Sequence, residues 1–194
     1  MKIIAIWSES GGVGKSTTAW FIASGLAEIG HDVLLLDTDR QRMCVRHAAA
    51  AKSNGLDHPF DVVTPDDESR DAGVLVVDCG GGDDSWLERA DVVVLPTRPT
   101  RHGIDVAQTF RSLIPASARC IDVAIVDRRH PVHKALEPEL VARGYHIVRL
   151  RSLATELCDN GATPFRHALP ASRRGTLSDL RLDFIPIITE AAKK

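Results

Sequence analysis

Ile3-Ile4-Ala5-Ile6-Trp7-Ser8-Glu9-Ser10-Gly11-Gly12-Val13-Gly14-Lys15-Ser16-Thr17 decides how this chain is read. A β-branched apolar run, Ile3 to Trp7, breaks at a glycine-rich turn, and the turn opens a stretch with helical spacing. A nucleotide phosphate needs that order. Glycines let backbone N–H groups turn inward around phosphate oxygens, where a Cβ would collide. The helix N-terminus adds partial positive charge. In this arrangement Lys15 reaches the β- and γ-phosphates, and the Ser16 hydroxyl binds Mg²⁺. The competing reading is a glycine turn that merely joins strand to helix. Gly14-Lys15-Ser16-Thr17 between a strand and a helix favours the nucleotide. The candidate phosphate-binding residues are therefore Ser10, Gly11, Gly12, Val13, Gly14, Lys15, Ser16 and Thr17.

Outward from this loop, short β-branched runs alternate with longer helical segments. Ile3–Trp7, Val33–Leu36, Val74–Val77, Val92–Leu95 and Val123–Val126 read as buried strands, and His146–Leu150 as a sixth. Near-continuous apolar strands separated by helices predict an α/β fold, a mostly parallel sheet with helices on both faces. Helices are expected from Gly14 to Ile29, from Arg42 to Lys52, from His102 to Ile114 and from Ala135 to Ala142. In the first, Trp20, Ile22, Ala23, Leu26 and Ala27 keep an apolar stripe, and Gly30 supplies the stop. Residues 160–175 are the least regular, with Gly161, Pro164, Pro170 and Gly175 as breakers. A last helix within Leu177–Ala192 should kink or restart at Pro186. Without a repeat or low-complexity linker, the 194 residues read as one domain.

Apolar residues make up 44% and charged residues 26%, which argues against wholesale disorder. No run approaches the roughly 18 apolar residues of a membrane span, and an early glycine argues against a secretory signal, so a cytoplasmic protein is expected. Cys44, Cys79, Cys120 and Cys158 stand singly, which argues for reduced thiols over a zinc site or disulfide framework. The net charge of −2 hides an asymmetry. Residues 1–97 carry eight Lys/Arg against sixteen Asp/Glu, whereas residues 98–194 carry sixteen against ten. A basic second half fits an anionic partner, although a solvated charged surface would look the same.

The loop departs from the standard GxxxxGK[ST] pattern, with Glu9 at the first glycine and Gly11-Gly12 paired. It resembles the deviant phosphate loop of the ParA/MinD ATPase family. Leu34-Leu35-Leu36-Asp37-Thr38-Asp39-Arg40-Gln41 is similar to the family's Asp-x-Asp-Pro-Gln segment, with Arg40 in place of proline. Val74-Leu75-Val76-Val77-Asp78 resembles its Walker B strand, and Ala90–Pro99 its Ala-Asp-x-x-x-x-Pro-x-x-Pro stretch. The resemblance implies a P-loop fold and a Mg²⁺-dependent ATPase, slow until a partner stimulates it. It also implies an ATP-dependent homodimer that binds duplex DNA without sequence preference and partitions or positions a plasmid, chromosome or other cargo. On this reading Lys15 acts on the phosphates and Asp39 orients the attacking water. Ser16, Asp37 and Asp78 serve the metal, carboxylates at strand ends being placed to hold Mg²⁺ through its waters. Asp127 is the candidate adenine contact. The bland alternative for Asp37 and Asp39 is a capping pair before the next helix.

Ser10 stands where the family carries a signature lysine, and three explanations compete: Arg128, Arg129 or Lys134 reaches across instead, a nucleotide sandwich relies on magnesium and Lys15 alone, or ATP is bound and hydrolysed poorly. The carboxysome-positioning McdA group also lacks that lysine. Arg149, Arg151, Arg166, Arg173, Arg174 and Arg181 form the candidate DNA surface, with salt-dependent phosphate contacts. The chain opens directly on its first strand, so sequence-specific recognition is expected from a site-specific DNA-binding or cargo-adaptor partner and a nucleoid-associated location follows. A MinD-like membrane ATPase needs a basic amphipathic end without breakers, which Pro186 and its flanking acids disfavour. An ATP-dependent small-molecule ligase of the same fold shares the loop but fits the Asp37–Gln41 and Pro96–Pro99 segments less well. A nitrogenase-type iron–sulfur reductase lacks its cysteine pattern here.

Overall fold

A computed structural model describes residues 1–67, 70–149, 152–167 and 171–193. Strands β1 (Lys2–Ile6), β2 (Val33–Asp37), β3 (Phe60–Val63), β4 (Val74–Asp78), β5 (Val92–Thr97), β6 (Arg119–Val126) and β7 (His146–Arg149) form one sheet. Its order is β3-β2-β4-β1-β5-β6-β7, and every described pairing is parallel. The helices are α1 (Lys15–Glu28), α2 (Met43–Ser53), α3 (Arg101–Phe110), α4 (Pro131–Ala142), α5 (Ser152–Asp159) and α6 (Arg174–Ala192).

Alternation along the strands builds the two layers. Ile4, Ile6, Leu35, Val76, Val94 and Val123 point to one face, where they meet α1, α2, α5 and α6. Ala5, Trp7, Leu34, Val77 and Leu95 point to the other, toward Phe110 of α3, and Ala124 and Val126 meet Leu136 and Leu140 of α4. The apolar stripe expected on α1 widens to its whole circumference, since every residue from Thr18 to Leu26 is buried. Three other helices pack around it, so the segment needs no polar face. Trp20 illustrates the fit: its ring packs edge-on against His47, His58 and Phe60, and its indole N–H donates to the Ala162 carbonyl at 3.0 Å.

Three elements differ from expectation. β3 was hidden because it is a four-residue edge strand whose Asp61 faces out. α5 lacks a long apolar run, although Leu153, Ala154, Leu157 and Cys158 repeat at helical spacing and are all buried. α6 is one continuous helix that includes Pro186 rather than restarting there. Pro186 lies on the exposed side, and so does Leu182 four residues earlier, so the carbonyl deprived of an N–H faces water.

Candidate functional site

Because all strands run the same way, the loops after β1, β2 and β4 converge at one edge. Pairing sets Ile6, Asp37 and Asp78 side by side as the last residues of three neighbouring strands. Beyond them opens a cleft of about 950 Å³. Gly11, Gly12 and Gly14 to Thr17 line one wall, Thr38 to Gln41 and Gly80 to Asp83 another, and Thr155, Cys158 and Asp159 of α5 a third. Ser10 and Val13 line the neighbouring groove beneath β5, on the other side of the same loop.

The phosphate loop has the backbone that its glycines permit. Gly12 and Gly14 take φ of +65° and +98°, in the left-handed region that favours glycine. Gly14 caps α1 with no side-chain hydrogen bond, which leaves the first-turn amides facing the cleft without an internal acceptor. Lys15 is folded back across the loop, its Nζ 3.4 Å from the Ser8 carbonyl and 3.3 Å from that of Ser10. Both bonds are long for an ammonium and readily exchanged for phosphate oxygens.

Asp37 and Asp78 are both fully buried, but their surroundings differ. Asp37 accepts the Asp39 N–H at 3.2 Å and the Val45 N–H at 3.1 Å, one on each oxygen. It therefore braces the turn into α2, while burial still raises its pKa. Asp39 accepts the Gln41 N–H at 2.8 Å and lines the cleft. Asp78 accepts a hydrogen bond from the Cys44 thiol, whose Sγ lies 3.4 Å from Oδ2, and the neighbouring Ser16 hydroxyl favours its charged form. Its Oδ1 is buried with no hydrogen-bond partner among the described residues. Burial, aided by the charge of Asp37, pushes its pKa up to about 7. An orphaned carboxylate oxygen beside the Ser16 hydroxyl and a second aspartate fits a hard cation, and Ser16, Asp37 and Asp78 are the residues that would hold Mg²⁺. Mg²⁺ supplies neutralising charge to phosphate oxygens when bound.

This carboxylate carries a pH prediction. The folded pKa of about 7 lies above the ordinary 3.8, so the native state keeps a proton that the unfolded chain has released. Stability from this group is full below about pH 4 and falls as pH rises toward 7, by up to about 4 kcal/mol. Thermal melts of the ligand-free Asp78→Asn variant should show a shallower decline over that window and a higher melting temperature at pH 7.5. An unchanged slope would contradict the burial of a charged Asp78.

The remaining sequence candidates scatter. Asp127 follows β6 at the same edge but outside the cleft lining, and the Arg129 guanidinium, with bonds of 2.9 Å to both carboxyl oxygens, holds its pKa at about 2. Arg128 is gripped by both oxygens of Glu137 at 3.0 and 2.7 Å. Arg149 is turned inward to Asp183 at 2.7 Å and Glu137 at 3.1 Å, so it is engaged inside the fold. Arg166 pairs with Glu28 and Asp57, Arg173 with Glu156, and Arg181 donates to the Pro164 carbonyl. Arg174 is exposed at the start of α6, and Arg151 lies outside the described residues. Sequence reasoning missed Met43, His47 and the α5 residues of the cleft, since no motif marks them. It also missed Cys44, whose position one residue into α2 after the Asp37 turn was the available signal.

Known proteins resemble this chain in part of its sequence and in its fold. A family model described as AAA domain matches residues 1–77. Protein ParA of Rhizobium radiobacter is 29% identical over 63% of this chain and 60% of its own length, so the chain spans less than two thirds of that relative. Among solved structures, the septum site-determining protein MinD of Pyrococcus horikoshii, complexed with Mg-ADP, superposes with a TM-score of 0.72 at 16% identity, covering 99% of this chain and 96% of that one. A plasmid partition protein of Borrelia burgdorferi bound to AMPPNP gives 0.70 at 16% identity, covering 96% and 99%. At that identity the two structures speak for the fold. Among the described residues no helix is long and apolar enough to cross a membrane.

Proposed function

We propose that the chain is a P-loop ATPase of the ParA/MinD type and a nucleotide-driven partition or positioning switch, a reading that its sequence matches and its fold support. The observation that carries the reading is the phosphate loop: two left-handed glycines, an uncapped α1, and Lys15 held among the described residues only by the Ser8 and Ser10 carbonyls, on the same sheet edge as the orphaned Asp78 oxygen. Backbone amides of residues 11–17 cradle the β- and γ-phosphates, and Lys15 leaves the Ser8 and Ser10 carbonyls to meet them. Ser16, Asp37 and Asp78 would hold the metal, and Asp37 also fixes the turn that presents Asp39. Asp39 faces the cleft, where it orients the water that attacks the terminal phosphate. With so little covalent chemistry asked of the protein, positioning governs the rate, and turnover stays slow until a partner stimulates it.

ATP then drives two copies together, and the dimer binds duplex DNA through Arg166, Arg173, Arg174 and Arg181. Three of these already hold acidic or carbonyl partners that a DNA phosphate can displace. Cargo and site specificity come from a partner protein. Sedimentation of the full chain tests the switch: Mg-ATP should shift monomer to dimer and Mg-ADP should not. A chain that stays monomeric in both would remove the dimer from this reading while leaving the nucleotide site.

A further inference from the structure

Arg98 is the side chain outside the phosphate loop whose placement goes furthest beyond the reading above. It follows β5, the strand next to β1, so its loop lies beside the phosphate loop at the same sheet edge. Its Nη2 donates to the Gly12 carbonyl at 2.7 Å. The residue is exposed, and among the described residues no carboxylate pairs with it. Arg128 and Arg129, by contrast, are each held by a carboxylate.

The backbone that carries Arg98 is pinned. Pro99 restricts its conformation, and its carbonyl accepts the Thr100 N–H at 2.8 Å. A Cβ on Gly103 would come within 2.5 Å of that carbonyl, so the α3 N-terminus packs directly against it. A rigid mount thus carries a guanidinium whose only described polar contact is one backbone oxygen of the phosphate loop. A guanidinium matches the oxygens of a phosphate in geometry and charge, and a neutral carbonyl is the weaker partner.

We propose that Arg98 binds the terminal phosphate of a nucleoside triphosphate held at this loop, supplying charge that Ser10 cannot. The proposal rests on the nucleotide reading of the loop and adds a residue that distinguishes triphosphate from diphosphate. Arg98 lines the groove on the other side of the loop from the cleft, so the proposal requires its guanidinium to leave the Gly12 carbonyl and swing over the loop to the phosphate oxygens.

Calorimetric titration of the full chain with Mg-ADP and with a non-hydrolysable Mg-triphosphate tests it. Arg98→Ala should bind ADP within twofold of the unaltered chain and lose about 10- to 100-fold in affinity for the triphosphate, the worth of a hydrogen bond to a charged group. Arg98→Lys should retain part of that affinity. Ser10→Lys placed in the Arg98→Ala background should recover it, which a merely structural role for Arg98 would not allow. An unchanged ratio of triphosphate to diphosphate affinity in Arg98→Ala overturns the proposal, as does an equal loss for both nucleotides. If the unaltered chain binds neither nucleotide, the reading of the loop itself fails, and that outcome is distinct from a failure of Arg98 alone.

Discussion

Lys15→Ala should abolish nucleotide binding, with at least a 100-fold loss of affinity for Mg-ATP and no measurable turnover. The side chain is 6% exposed, and among the described residues its ammonium reaches only two loop carbonyls. It is thus a buried positive charge without a carboxylate, the condition of a group awaiting an anion. Charge-assisted bonds to phosphate oxygens are each worth roughly 1.5–3 kcal/mol, and losing the ammonium leaves the β- and γ-phosphates uncompensated. The fold itself should be spared, because the bonds at 3.4 and 3.3 Å contribute little. In a thermal melt the variant should match the unaltered chain without nucleotide. It should then fail to gain the stabilisation that a ligand confers by binding the native state alone. Melting-temperature gains from Mg-ATP that survive the substitution would place the nucleotide elsewhere.

Gly161→Ala should have the largest effect on stability, lowering it by about 2–5 kcal/mol. Gly161 ends α5 in the left-handed region, at φ +68°. Its N–H bonds the Cys158 carbonyl at 2.9 Å, and the next N–H bonds that of Leu157 at 2.7 Å. A Cβ there would lie 2.2 Å from the Ala51 nitrogen and 2.3 Å from the His47 carbonyl, both backbone atoms of α2. Neither can rotate away, so α5 and α2 must separate. Left-handed strain of about 1–2 kcal/mol adds to an overpacking cost of about 1–3 kcal/mol. At this chain length the melting temperature should fall by roughly 10 °C. Since α5 lines the nucleotide cleft, affinity should fall as well; a melting temperature within about 2 °C of the unaltered chain would contradict this packing.

These two glycine-dependent places, the phosphate loop and the α5 end, were not equally legible. The loop could be read because its chemistry is local: glycines, lysine and hydroxyl all lie within Ser10 to Thr17. Six of the strands were likewise announced by continuous apolar runs, a consequence of burial on both faces. Gly161, in contrast, could be seen only as a breaker, since its demand for a missing Cβ comes from α2, more than a hundred residues earlier. Arg98 was hidden for the same reason. Its neighbour Gly12 is 86 residues away, and only the adjacency of β1 and β5 brings them together. Long-range charge was the hardest to read. Arg149 looked like a surface cation until Asp183 of α6 and Glu137 of α4 closed on it. Composition counts charges, while pairing is decided by the fold.

A nucleotide-gated switch that acts on DNA, as proposed above, should show itself most plainly in DNA binding. Binding of the full chain to random-sequence duplex DNA should be measured with ATP, with ADP and with neither, across a salt series, with Lys15→Ala alongside. Binding should occur with ATP only, weaken steeply as salt rises because counterions compete for the phosphates, and be lost in the variant. Binding that is equal in all nucleotide states, or absent from every one of them, would contradict it.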